Sequence, residues 1–294
     1  MNYDIHYLTA YRYASPVTDN LNALRVRPAT TSNQRCDEFH IRLDPEARTT
    51  RHVDYFGTEV VEFGVARPHD HLTIDVRARV VTNDPPEPPE APWEHLEGDT
   101  YAEAAGEFLL AGGDEHPEPS DEALADLLAI ARARTPLATV RWLNELIPDR
   151  FAYRPGVTYV GSTIDDLLRA GAGVCQDFVH LALVLLRRNG IAARYVSGYL
   201  FSAPEDGGTA SVEVQTHAWL EALLPGTGGR GEPIWVGADP TNRRLAGETH
   251  VKIGHGRRYA DVPPIKGVYR GTARAELEAS VHMTRLDPAA SARA

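Results

Sequence analysis

The sequence predicts an α+β protein in which an antiparallel, β-sandwich-like N-terminal unit precedes a unit of mixed helices and strands. Three observations lead there. Apolar residues alternate with polar ones through much of residues 3–81, the period expected of half-buried strands. A proline-rich segment then interrupts the chain, and beyond it the apolar spacing becomes helical before returning to the strand period. Strands first and helices later is the order of an α+β chain.

In the first unit, Phe39, Ile41 and Leu43 mark one strand, and Leu72, Ile74, Val76, Ala78 and Val80 mark another. Turn-forming pairs such as Arg27-Pro28 and Asp44-Pro45 separate such runs. The stretch Asn83-Asp84-Pro85-Pro86-Glu87-Pro88-Pro89-Glu90-Ala91-Pro92 is too rich in proline for a helix or a central strand and favours extended geometry. It divides the chain into an all-β domain over residues 1–82, a linker over 83–98 and a second domain over 99–294. Beyond the linker, Ser120 is placed to cap a helix over 121–134, a second covers 137–147, and a third follows Thr163 over 164–169. The strongest helix is residues 175–189, where Phe178, Leu181, Ala182 and Leu185 recur at three-and-four spacing and Gly190 suits the position after the end. Strands are expected over 193–201, 212–224 and 234–237, the last two joined by a glycine-rich loop, and again over 277–283.

The 294 residues carry 41 acids against 30 Lys and Arg, a formal charge of −11, so the overall field repels phosphate backbones and anionic lipid. Nucleic acid and membrane are therefore poor partners. Two cysteines far apart, Cys36 and Cys175, make neither a disulfide framework nor a cysteine-rich zinc site and fit a reduced compartment. The N-terminus has no basic and apolar leader pattern, and nowhere do about 18 apolar residues run together. A cytoplasmic location is the expectation.

Chemistry concentrates in Gly171-Ala172-Gly173-Val174-Cys175-Gln176-Asp177, where a glycine-containing loop leads a cysteine into the first turn of a helix. The first N–H groups of a helix have no partners within it and carry the positive end of its dipole, so they favour a thiolate and can donate to an oxyanion. Such a nucleophile needs a base that later returns its proton, and a histidine oriented by a carboxylate does both. His217, within the expected strand over 212–224, and Asp239, just after the one over 234–237, are the candidates for those roles, with Cys175 as nucleophile.

These residues resemble the transglutaminase-like superfamily, and within it the bacterial proteins with a preceding all-β domain. Three blocks carry the resemblance: Gly173-Val174-Cys175-Gln176-Asp177-Phe178-Val179-His180, then Ala193-Arg194-Tyr195-Val196-Ser197-Gly198-Tyr199, then His217-Ala218-Trp219 with Asp239-Pro240-Thr241. Tyr11-Arg12-Tyr13, Ser15-Pro16-Val17 and Leu24-Arg25-Val26-Arg27-Pro28 extend it into the N-terminal half. The resemblance implies a papain-like catalytic core in which Cys175, His217 and Asp239 form a triad that works through a thioester. It implies a peptide or protein substrate, cleaved at a peptide or isopeptide bond, or transfer of a glutamine acyl group to an amine. Hydrolysis is the first expectation, since neither an amine site nor a calcium-gated lid is legible. With no D-x-D-x-D-G loop, neither metal nor other cofactor is expected. Gln176, Tyr153 and Tyr159 are candidates for a second oxyanion donor. A silent interaction scaffold is the reading from another class, and the intact Cys, His and Asp set counts against it. An acyltransferase with a donor such as acetyl-CoA would need a basic nucleotide-sized cleft, which no cluster of residues demands.

Other motifs have plainer explanations. Gly226-Thr227-Gly228-Gly229-Arg230-Gly231 satisfies G-x-G-x-x-G but lies between two strands and so reads as a hairpin loop. His69-Asp70-His71 lacks a third metal ligand and reads as a turn before a strand. Cys36 has no activating neighbours, and His180 is expected to point away from Cys175.

Overall fold

The computed structural model describes residues 1–110, 118–203, 208–209, 216–226 and 231–286. The first element, β1 (Asn2–Leu24), is a single strand of 23 residues, and β2 (Gln34–Asp44), β3 (Thr49–Val53), β4 (Glu59–Val65) and β5 (His69–Thr82) follow. β1 serves two sets of neighbours. Its first half, from Asn2 to Arg12, pairs antiparallel with β5, and its last residues, Asn20 to Leu24, pair with β4; the register breaks between Arg12 and Val17. The sheet therefore curls around β1. Tyr3, Ile5 and Tyr7 from one half of that strand and Val17 and Leu24 from the other share one apolar cluster with Phe63, Leu72 and Ile74.

After the proline-rich segment come α1 (Asp99–Ala105), α2 (Ala125–Ile130), α3 (Pro136–Arg150), β6 (Ala152–Tyr153), α4 (Ile164–Ala170), β7 (Ala172–Gly173) and α5 (Cys175–Arg188). β8 (Ala193–Leu200), β9 (His217–Leu224), β10 (Ile234–Asp239), β11 (Arg244–Leu245) and β12 (His250–Gly256) form an antiparallel sheet in the order β11-β10-β9-β8-β12. α5 lies against β8 and β9 on one side and α3 and α4 on the other, so Phe178, Val179 and every residue from Leu181 to Leu186 are buried. Its apolar stripe widens to most of its circumference because it is the central helix of the unit.

The last two strands have a destination that local pattern did not reveal. β13 (Ile265–Arg270) pairs with the end of β1, and β14 (Ala275–Leu286) pairs with its start, residue 2 opposite 286. The linear division at residue 99 assigned this segment to the second unit, whereas its hydrogen bonds belong to the first. The two units also share apolar packing, since Tyr199, Phe201, Val251 and Ile253 of the second sheet sit in the N-terminal cluster. The Tyr199 hydroxyl donates to the Val26 carbonyl at 3.0 Å across this junction.

Local chemistry explains most element bounds. Thr135 caps α3 by accepting from Ala138 N–H, and Thr163 caps α4 in a capping box with Asp166. The helix expected over 121–134 is shorter, because Ser120 accepts from Ala123 N–H in a turn and α2 begins only at Ala125. α1 was not anticipated; its seven residues are too few to show a period, and it is held by the buried Tyr101 hydroxyl donating to Leu223 O at 3.0 Å. β5 starts at His69, so His69-Asp70-His71 belongs to the strand. Residues 212–215 of the strand expected over 212–224, and residues 227–230 of the glycine-rich loop, lie outside the described residues. Among the described residues, no helix is long and apolar enough to cross a membrane.

Candidate active site

Cys175 occupies the first position of α5, after Val174 in extended geometry. The approach to it is fixed by Asp177, a buried side chain that accepts from Val174 N–H at 2.8 Å and from the Thr158 hydroxyl at 2.6 Å. Gly173 allows that reach: a Cβ there would lie 2.7 Å from Asp177 Oδ2 and 2.9 Å from Leu167 Cδ1. The first N–H groups engaged within the helix are those of Asp177 and Phe178, both bonded to Val174 O. Those of Cys175 and Gln176 precede them at the positive end of the helix.

His217 opens β9, and Asp239 closes the adjacent β10. Their side chains meet with His217 Nε2 2.8 Å from Asp239 Oδ2, the histidine 11% exposed and the carboxylate 0%. Burial alone would push the His217 imidazolium down, but the hydrogen bond to Asp239 and then that to Cys175 raise it to about 9. Burial would likewise raise Asp239, yet the hydrogen bonds from His217 and His250 hold it well below the usual carboxylate range. Thus the structure brings the Cys175, His217 and Asp239 side chains together.

Asp239 is unusually well supplied with donors. Oδ2 faces His217 Nε2, Asn242 Nδ2 at 2.7 Å and His250 Nε2 at 3.1 Å, while Oδ1 accepts from Thr241 N–H at 3.0 Å and Asn242 N–H at 3.2 Å. The Oδ1 bonds make the tight turn between β10 and β11, so the turn-forming and acidic roles of Asp239 coexist on different oxygens. The Trp219 ring, 2% exposed, lies 6.2 Å from the His217 ring at 24° and 5.2 Å from the His250 ring at 71°. Gly198 makes room for it, since a Cβ at that position would be 2.4 Å from Trp219 Cη2. The indole shields the histidine–carboxylate contacts from water.

Sequence reasoning did not find Asn242 or His250. Neither belongs to a motif. Asn242 could have been suspected from its place in the Asp-Pro turn, but His250 starts a strand 11 residues after Asp239 and reaches it only because β12 lies beside β8 in the sheet.

Of the three candidates for a second oxyanion donor, Tyr153 is 54% exposed, and its partial burial and then the proximity of Cys175 and Asp239 push its phenol up. Tyr153 pairs with Gly173 through the short β6–β7 ladder, two residues before the cysteine. Tyr159 is 76% exposed, and Gln176 turns into a cavity of about 240 Å³ that His180, Leu183 and Tyr259 also line. His180 accepts from Tyr259 N–H there at 3.4 Å. Cys36, at a bulge in β2, has its sulfur 3.3 Å from Glu38 O, and burial pushes its thiol up.

His217, Asp239 and His250 are also the one group among the described residues that could gather around a metal ion, with candidate ligand atoms within 4.8 Å of one another. Their mutual hydrogen bonds already account for that closeness.

Comparison with known proteins gives consistent relationships. Residues 3–81 match the family model described as the bacterial transglutaminase-like N-terminal region, and residues 126–240 match that of the transglutaminase-like superfamily. An uncharacterized protein of Mycobacterium leprae is 34% identical over 283 residues, spanning 95% of this chain and 96% of that protein. One from Mycobacterium tuberculosis is 35% identical over 293 residues, spanning 95% and 91%. A protein-glutamine gamma-glutamyltransferase of Pseudomonas aeruginosa is 29% identical over 165 residues, spanning 53% of this chain but 24% of that protein. A candidate cysteine protease of Cytophaga hutchinsonii has the same fold, with a TM-score of 0.71, 24% identity and coverage of 98% of this chain and 92% of that one.

Proposed function

Because this chain belongs to the transglutaminase-like superfamily and carries the bacterial transglutaminase-like N-terminal region, we propose that it is a cysteine amidase or peptidase acting on peptide or isopeptide bonds in the cytoplasm. Cys175 is the nucleophile, His217 the general base and acid, and Asp239 the carboxylate that orients His217. The observation that carries this reading is His217 held between Cys175 and a fully buried, five-donor carboxylate. Nε2 of this histidine is committed to Asp239 at 2.8 Å, and the ring also interacts with the Cys175 thiol.

In the reaction, the Cys175 thiolate forms a bond to the amide carbon, and the carbonyl π electrons move onto oxygen. The N–H groups of Cys175 and Gln176 receive that oxyanion, with the Tyr153 hydroxyl as the additional donor. Collapse breaks the C–N bond, the His217 proton passes to the departing nitrogen, and an acyl-thioester remains on Cys175. Neutral His217 then takes a proton from water, whose oxygen adds to the thioester carbon, and the sulfur leaves as thiolate beside the re-protonated ring.

Native protein is treated with iodoacetamide across pH 5–9 and read by intact mass, with His217→Ala and Cys36→Ala controls. Fast labelling of Cys175 well below the free-thiol value of about 8.5, lost in His217→Ala, supports the reading. Labelling that rises only near that value, or needs denaturant, sinks it in favour of an interaction scaffold. The relative named a gamma-glutamyltransferase favours a second reading, acyl transfer to an amine. A glutamine peptide incubated with a primary amine separates the two, because transfer gives the amine adduct and hydrolysis gives glutamate.

A further inference from the structure

Resting on that reading, we propose that His250 is a positioning residue of the same centre, a neutral ring whose Nε2–H holds the Asp239 carboxylate in the orientation that aims His217 at Cys175. The assignment follows from counting protons. His250 Nδ1 accepts the Gly247 backbone N–H at 3.3 Å, so this nitrogen carries a lone pair, and the Thr249 hydroxyl 3.4 Å from it, free to rotate, is then a donor to the same atom. A neutral imidazole has one N–H, which must then be on Nε2, the atom 3.1 Å from Asp239 Oδ2. Burial pushes this histidine down, against the pull of the carboxylate, which keeps the ring neutral.

The same bookkeeping separates this role from metal ligation. A metal at Nε2 would need a lone pair there while Nδ1 offers its own to Gly247, and imidazole has both only as an imidazolate. As a donor, His250 opposes any swing of the carboxylate away from His217, because rotating Oδ2 would break contacts with three side chains at once. Trp219 packs edge-to-face on the ring and fixes its plane.

The loop that presents His250 is itself held from the N-terminal unit. Glu248 N–H donates to Asp84 Oδ1 at 3.0 Å, the Thr82 hydroxyl donates to Glu248 O at 2.7 Å, and the N-terminal ammonium lies 3.3 Å from the Glu248 carboxylate. A Cβ on Gly247 would be 2.8 Å from Asp84 Oδ1, so the approach is close. The β-rich unit thus contributes to the centre through the far side of its acid.

Two measurements test the assignment. Long-range ¹H–¹⁵N spectra of the intact protein, with His250→Gln to assign the signals, should show His250 as a neutral Nε2–H tautomer from pH 6 to 8. In the iodoacetamide assay, His250→Leu should slow Cys175 labelling about tenfold at pH 6 while still melting cooperatively, a loss on the scale of removing an outer hydrogen bond from a metal-bound histidine. His250→Gln, whose amide N–H can reach the same oxygen, should recover most of that rate. An Nδ1–H or charged ring, a shift of both ring nitrogens on adding zinc, or a His250→Leu protein that labels at the unsubstituted rate with the same pH profile overturns the proposal. Slow labelling of the unsubstituted protein would instead fail the proposed activity, and the tautomer measurement would still decide the role of His250.

Discussion

Asp239 divides its work between two oxygens, and this makes the protonation of His217 a stability term as well as a catalytic one. His217 titrates at about 9 in the fold against an ordinary value near 6.5, so the folded state binds more protons between those limits. Its contribution is complete below pH 6.5 and disappears as pH rises to 9. Chemical denaturation at pH 6.5 and pH 9 should show the protein losing roughly 1–3 kcal/mol more over this window than a His217→Gln variant does. Equal losses would mean that the histidine is neutral in the fold. At this scale the sequence was most readable for Cys175, because a cysteine after Gly-Val and before an amphipathic run announces a helix start. It was least readable for His250, whose role depends on which strand lies beside which. Spacing along a chain does not encode that order.

At the scale of the element, the sheet that carries His217 also holds a group of half-buried charges. Glu221, four residues along β9, accepts from Lys252 Nζ at 2.8 and 2.7 Å and from Arg194 Nε at 2.6 Å, linking β12, β9 and β8. Burial would raise Glu221, but Lys252 and then Arg194 bring it down to about 2. Lys252 is pushed down by burial to about 8 despite its partner, so the lysine is the member that bears the desolvation. The guanidinium of Arg194 also stacks 3.9 Å from the centre of the Trp235 ring. Replacing Glu221 with Ala leaves two half-buried cations together and should cost about 2–4 kcal/mol in urea denaturation, less than for a fully buried pair. A loss below about 1 kcal/mol would mean that water reaches the cations freely. A strand through these residues was legible, whereas nothing in the sequence marks Glu221 as an interior charge. Only the cations on adjacent strands, distant in sequence, make it an interior one.

At the scale of the whole molecule, the linear division into two domains meets a fold that joins them. The proline-rich boundary is real as composition, and residues 85–92 contain no helix or strand. Yet β13 and β14 complete the first sheet, and Tyr199, Phe201, Val251 and Ile253 pack into its cluster. A chain of residues 99–294 should therefore not fold on its own. Its circular dichroism should lack a cooperative thermal transition, and adding residues 1–98 as a separate chain should restore one; a truncated chain that melts cooperatively would show that the junction is dispensable. Periodicity marked β2 and β5 in the first unit and the run at 277–283, but could not assign that last run to the first sheet, since an alternating run looks the same whichever sheet receives it.

The position of β14 also matters while the chain is being made. β1 leaves the ribosome before either of these partners and finds β5 within about its next 60 residues, but the opposite edge of its first half waits for residues 275–286. At ordinary rates of about 5–20 residues per second, that edge stays open for roughly ten to fifty seconds, a template for other strands in the interval. Asp4, His6 and Arg12 place ionisable side chains along it, which discourages chance pairing between nascent copies. Synthesis of residues 275–286, and not that of the cysteine helix, is then the event that closes the first sheet.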